Sequence, residues 1–119
     1  MLPSNWYSLI VVDGVDPNLP GIYQWEIEGG GIYIGKFTHR SRPFGEYERN
    51  VLKLLAGRPY RPQKPAAFRR IHRELHAAHI EGRKITLTIL ANCLPSELGL
   101  RERELIAERG TLNGRRKAR

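Results

Sequence analysis

The sequence predicts a small α+β domain, a three-stranded antiparallel sheet flanked by helices, and three observations predict it. Two short β-rich runs, 21–28 and 31–37, are joined through Gly29, Gly30 and Gly31, which is a hairpin signal. Helical periodicity occupies 43–57 and 66–81 and returns over 95–109. Between the last two helical stretches, KITLTILANC (84–93) alternates Ile85, Leu87 and Ile89 with Thr86 and Thr88, as a strand with one buried face does. A chain of 119 residues has the length of one domain with a modest core.

Each element has its own warrant. Residues 1–20 are expected as an N-terminal lead-in, with strand character between Trp6 and Val12 and a loop around Pro17 and Pro20. In the hairpin, a loop made of Gly29 to Gly31 pairs Glu28 with Ile32 and Ile27 with Tyr33. Side-chain alternation then sets Tyr23, Trp25, Ile27 and Tyr33 on one face, whereas a loop one residue longer or shorter parts the tyrosines. In PFGEYERNVLKLLAG, Pro43 suits a first helical turn, Phe44, Tyr47, Val51, Leu54 and Leu55 form the apolar stripe, and Gly57 is the stop. RPYRPQKP (58–65) holds too many prolines for regular structure and reads as a basic loop with one aromatic, Tyr60. The second helix has Phe68, Ile71, Leu75 and Ala78 as its core stripe and ends at Gly82. The last runs from about Pro95 to Arg109, and residues 114–119 are expected as a disordered basic tail.

Composition narrows the functional classes. No run of about 18 apolar residues offers a membrane span, and the N-terminus lacks the basic and small-residue features of a signal sequence, so a soluble cytoplasmic protein is expected. The single cysteine, Cys93, excludes an intrachain disulfide framework and a cysteine-based zinc site, and reads as a small core filler. The net charge of +8 is unevenly spread: residues 1–35 carry four acids and no bases. The excess is densest in 36–73, which holds Lys36, Arg40, Arg42, Arg49, Lys53, Arg58, Arg61, Lys64, Arg69, Arg70 and Arg73 against Glu46 and Glu48. Such a surface points to a polyanion, because Lys and Arg bound to phosphates release condensed counterions; the plainer reading is a solvated charged face. No helix pairs bulky apolar residues with this run, which argues against a membrane surface.

Two features exceed a packing role. On the last helix Leu98, Glu102, Leu105 and Ile106 share one face, so Glu102 interrupts the stripe aimed at the sheet. A carboxylate there needs a counter-charge, from Arg101, Arg103 or another base, or a metal. Glu104 lies on another face and reads as solvated. His72, His76 and His79 share a helix face, and HRELH is superficially similar to a zinc-protease helix. The motif requires Glu directly after the first His, however, so these histidines read as the polar rim of a packed helix.

Gly21-Ile22-Tyr23 and Tyr33-Ile34-Gly35, nine residues apart, resemble the paired signature motifs of the GIY-YIG endonuclease family. The resemblance extends over about 21–113, because the order hairpin, helix, helix, strand, helix fits that family's catalytic domain. It implies hydrolysis of nucleic-acid phosphodiester bonds, DNA being favoured, with magnesium or manganese as cofactor. By the resemblance Tyr23 and Tyr33 are the signature tyrosines, Glu102, followed by Ile106, is the metal-binding glutamate with Glu104 as fallback, and Asn113 is the asparagine that closes the domain. The family's arginine position falls on Pro43, flanked by Arg42 and Arg49. These are seven residues apart and on one helix face, so periodicity leaves both open, and the leaning is to Arg49, well inside the helix. Lys36 and His39 are the further candidates just after the second motif.

The chemistry expected is a hydrolysis in which Tyr23 takes a proton from water, its pKa lowered by nearby cations or its proton relayed to Tyr33 or His39. Arg49 or Arg42 steadies the phosphate, Glu102 holds the metal, and Asn113 contacts a phosphate or steadies Tyr23. Arg40, Lys53, Arg58, Arg61, Lys64, Arg69 and Arg70 are the expected nucleic-acid contacts. The alternative is a nucleic-acid-binding module of the same fold without catalysis.

Overall fold

The computed structural model describes residues 2–3 and 5–113; the expected tail, 114–119, lies outside them. Four strands, β1 (Ser8–Val11), β2 (Gly21–Ile27), β3 (Gly31–Phe37) and β4 (Ile85–Asn92), form one sheet in the order β1-β4-β2-β3. The α+β class holds, but the sheet is not three-stranded and wholly antiparallel. β2 pairs antiparallel with β3 and β4, while β1 pairs parallel with β4 through Ser8–Thr86 to Val11–Ile89. The expected lead-in therefore supplies a strand, and Leu2 and Trp6 join the core.

The hairpin register differs from the expected one by two residues and keeps its consequence. Ile27 pairs with Gly31, so the three loop residues are Glu28, Gly29 and Gly30. The strand thereby starts one residue earlier than expected, and Trp25 faces Tyr33 while Tyr23 faces Gly35. A shift of two preserves side-chain parity, so Tyr23, Trp25 and Tyr33 share a face.

The sheet is packed on both faces. On one side Tyr23, Trp25, Leu87 and Ile89 meet α1 (Tyr47–Leu55) and α2 (Arg70–Glu81), with Tyr47, Val51, Ile71 and Leu75 completing the core. On the other, Ile22 and Ile34 meet Leu98 and Leu105 of α3 (Leu98–Arg109), with Cys93, half-buried, at the margin. A π-helical turn, Arg42–Glu46, leads into α1, and a 3₁₀ turn, Pro95–Glu97, leads into α3. α2 starts at Arg70 rather than near Ala66: the Arg69 backbone is extended, and its N–H donates to His72 Nδ1 at 3.1 Å, which caps the helix. Its other end closes at Gly82 in the left-handed conformation.

The β3 edge of the sheet is partly covered. Along β3, the Thr111 and Leu112 amides donate to the Ile32 carbonyl at 2.9 and 2.8 Å. Asn113 continues the cover, accepting from Ile34 N at 2.9 Å and donating to Ile34 O at 2.7 Å. β3 remains open beyond that point, toward Gly35 and Lys36.

Candidate active site

A cleft of about 470 Å³ opens where the cover on β3 stops. Its charged and phenolic walls come from four separate places in the chain: Tyr33 and Lys36 from β3, Arg42 from the π-helical turn, Arg69 from the approach to α2, and Glu102 from α3. Alternation puts Tyr33 and Lys36 on opposite faces of the sheet, so the cleft wraps its edge and collects α3 from one side and the π-helical turn and the approach to α2 from the other.

The signature tyrosines do different things. Tyr33 is half-buried and lines the cleft, whereas Tyr23 is fully buried behind Gly35. A side chain at Gly35 would overlap the Tyr23 ring and hydroxyl, so the bare backbone of one motif seats the tyrosine of the other. The Tyr23 hydroxyl contacts the Tyr47 hydroxyl closely. Arg69 links this buried pair to the cleft, donating from Nη2 to Tyr47 Oη at 3.3 Å and from Nη1 to Tyr33 Oη at 3.1 Å.

Burial pushes the Tyr23 phenol up to about 12, with the neighbouring Tyr33 adding to it and Tyr47 and Arg42 opposing it. This corrects the expected lowering: Arg42 does oppose the rise, but desolvation of the phenolate outweighs it. Burial, followed by Tyr23, raises Tyr47 as well. The expected relay partners are corrected too. Tyr23 meets Tyr47 rather than Tyr33 or His39, and Arg69, which has donors and no acceptor, stands between the phenol pair and Tyr33.

Of the two candidate arginines, Arg42 lines the cleft and Arg49 does not. Arg49, the favoured candidate, is exposed and lines a different cavity with Lys53 and Arg61. The one-face argument for the two assumed α-helical turns throughout, and the wider π-helical turn between them breaks that spacing. Arg42 also pairs with Glu46 at 3.3 Å.

Glu102 sits in the apolar stripe as expected, between buried Leu98 and Leu105, but at the rim of the cleft and half-exposed. Among the described residues no base lies within ion-pair distance of it; Arg101 pairs with Glu104 at 3.4 Å, which leaves the fallback glutamate outside the cleft. The Lys36 ammonium reaches over the start of α3, where a side chain at Gly99 would come within 3.8 Å of Nζ. His39 is exposed and does not line the cleft. Asn113 spends its side-chain amide on the Ile34 backbone, so it fixes the strand that carries the second motif rather than reaching Tyr23.

The other basic residues divide. Arg69 belongs to the cleft, and Lys53 and Arg61 to the second cavity. Arg40 donates to Asn18 at 2.7 Å and lies over the Phe44 ring, Arg70 stands 3.9 Å from Glu74, and Arg58 and Lys64 are exposed. His72 is not a rim residue: it is buried against Tyr47, Tyr60 and Phe68. Burial, with Arg69, Arg42 and Arg73, pushes its pKa down to about 4. Tyr47 and the pairing role of Arg69 went unseen in the sequence, since Tyr47 occupies an ordinary core position of the helix stripe and Arg69 is one base among eleven between 36 and 73.

Among the described residues no group of three or more His, Cys, Asp or Glu is placed to hold a metal ion. The donor set of the cleft is one carboxylate beside three cations and a phenol, which fits a hard cation that keeps most of its water and shares a phosphate. Among the described residues no helix is long and apolar enough to cross a membrane. Comparison of the chain with protein-family models, curated proteins and solved structures returns no match in any of the three.

Proposed function

We propose that the chain is a metal-dependent endonuclease of the GIY-YIG kind, hydrolysing phosphodiester bonds in nucleic acid, with DNA as the first substrate to test. The observation that carries this reading is the meeting of Tyr33, Lys36, Arg42, Arg69 and Glu102 in one cleft. Three cations, a phenol and a single carboxylate are what an anionic phosphodiester and an oxygen-bound divalent ion require together.

Arg42 and Arg69 bind the phosphate oxygens with planar, two-pronged donors, and Lys36 adds a compact charge from the far side of the strand. These donors are fixed in advance, so they stabilise the charge that grows on phosphorus without reorganising. Tyr33 accepts from Arg69, which leaves its own O–H and a remaining lone pair to align the attacking water. Tyr23 acts from behind: it holds Tyr47, and Tyr47 holds Arg69. Glu102 is the residue that would hold magnesium or manganese, whose chemistry is Lewis-acid stabilisation of the phosphate and of the departing oxygen.

The test is incubation with supercoiled plasmid and magnesium, alongside a chelator control and the variants Glu102→Ala and Arg42→Ala. Nicking or linearisation is expected, abolished by the chelator and by Glu102→Ala, and slowed about 10²- to 10³-fold by Arg42→Ala, the usual cost of one transition-state donor. Absence of metal-dependent cleavage on duplex, branched and single-stranded DNA and on RNA, with binding retained, would replace the enzyme by a binding module of the same fold.

A further inference from the structure

A second cavity, of about 230 Å³, adjoins the cleft and is lined by Glu46, Arg49, Asn50, Lys53, Tyr60 and Arg61. The two spaces meet at the Arg42–Glu46 ion pair, since Arg42 walls the cleft and Glu46 walls the cavity. Arg49 and Lys53 stand one helical turn apart on α1.

Arg61 is brought to them by a loop that is ordered despite its prolines. Arg61 and Lys64 exchange backbone hydrogen bonds at 3.4 and 3.0 Å, and Tyr60 N donates to Pro65 O at 3.0 Å. The Tyr60 ring stacks on buried His72 with centroids 6.2 Å apart and packs edge-on against Phe68 at 5.3 Å. Lys53 Nζ donates to the Tyr60 carbonyl at 3.0 Å, which ties the loop to α1. A merely solvated run of charge has no reason to be held in a concave, anchored arrangement. The carboxylate of Glu46 is shared with Arg42, and among the described residues Arg49, Lys53 and Arg61 form no ion pair.

We propose that this cavity is a second phosphodiester-binding subsite, taking a phosphate of the same strand beside the one in the cleft. A lone anion fills one of two adjoining basic spaces, whereas a sugar–phosphate chain fills both. The contact is to backbone, so it positions the strand without reading bases. The proposal rests on the nucleic-acid reading of the cleft, and it is tested without requiring cleavage.

A fluorescently labelled duplex is titrated with protein by anisotropy, in chelator, across a series of salt concentrations. The variant Arg49→Gln/Arg61→Gln spares Lys53 and its bond to the loop. The control Lys84→Ala/Arg101→Ala removes the same net charge from exposed positions outside both cavities. Far-ultraviolet circular dichroism confirms that both variants are folded. The slope of log affinity against log salt is expected to fall by about one in the cavity variant, the share of the single phosphate that the cavity takes, and to stay near the parent value in the control. Equal slopes in parent and cavity variant, or equal losses in both variants, would overturn the subsite in favour of a diffuse field. Inorganic phosphate that competes as well per site as the oligonucleotide would overturn the strand and leave a free-anion site. A protein that cleaves plasmid but shows no such slope difference loses only this proposal. One that shows the difference and never cleaves loses only the endonuclease.

Discussion

Tyr23 and Gly35 face each other across β2 and β3, and each explains the other: the ring lies where a side chain at position 35 would be. Gly35→Ala is therefore expected to destabilise the protein by about 1–3 kcal/mol, the range for forcing volume into a packed core, read as a lowered urea midpoint. The same burial makes the Tyr23 hydroxyl a pH-dependent source of stability. Its pKa is about 12 in the fold against about 10 in an unfolded chain, so the folded state holds the proton more tightly. The contribution is complete below pH 10 and is lost as pH rises through 12, and Tyr47, raised as well, acts in the same direction. Tyr23→Phe should flatten the fall in unfolding free energy between about pH 10 and 12. An unchanged slope would mean that Tyr23 ionises as freely in the fold as out of it.

At the scale of elements, α2 begins where it does because His72 turns back to receive the Arg69 amide, and that amide is carried by the residue that binds Tyr33 and Tyr47. His72 has a folded pKa of about 4 against about 6.5 unfolded. Neutral His72 thus contributes stability that is full above pH 6.5 and is lost as pH falls through 4. His72→Gln should lower stability at pH 7 and show a weaker acid dependence between pH 6.5 and 4.5; parallel curves for the two proteins would overturn this. The helices, the hairpin and β4 were legible because periodicity of 3.6 and 2 is written in their apolar residues. Phe68, Ile71, Leu75 and Ala78 are all buried as their spacing requires. That Arg42 rather than Arg49 lines the cleft was not legible, because a π-helical turn leaves no mark in apolar spacing. Tyr47 was hidden because a core tyrosine and a site tyrosine occupy the same stripe. Its hydroxyl is assigned only by what the sheet and Arg69 bring to it.

At the scale of the molecule, the least legible part was the N-terminus. Leu9, Ile10, Val11 and Val12 are exposed, so β1 has no buried face to impose alternation, and its parallel pairing to β4 joins residues far apart in sequence. The segment is nonetheless structural. Trp6 stacks on Trp25 with centroids 5.6 Å apart, Tyr7 meets the same indole edge-on at 5.2 Å, and Leu2 is buried in the same core. Trp25 in turn packs against Tyr47 at 5.5 Å, so the N-terminal aromatics support the wall behind the cleft from the opposite side. A chain beginning at Asp13 would lose β1, strip the paired edge of β4 and uncover Trp25. Removal of one large core aromatic alone costs about 3–5 kcal/mol, a large part of the 5–15 kcal/mol that holds a domain together. The truncated chain is expected to lose its cooperative thermal transition and its near-ultraviolet tryptophan dichroism. Trp6→Ala in the full chain should instead keep a two-state transition at a midpoint lowered by tens of degrees, since about 1 kcal/mol shifts a domain of this size by about 4–8 °C. A truncated chain that melts cooperatively at the parent midpoint would return residues 1–12 to the standing of a lead-in and detach the cleft from them.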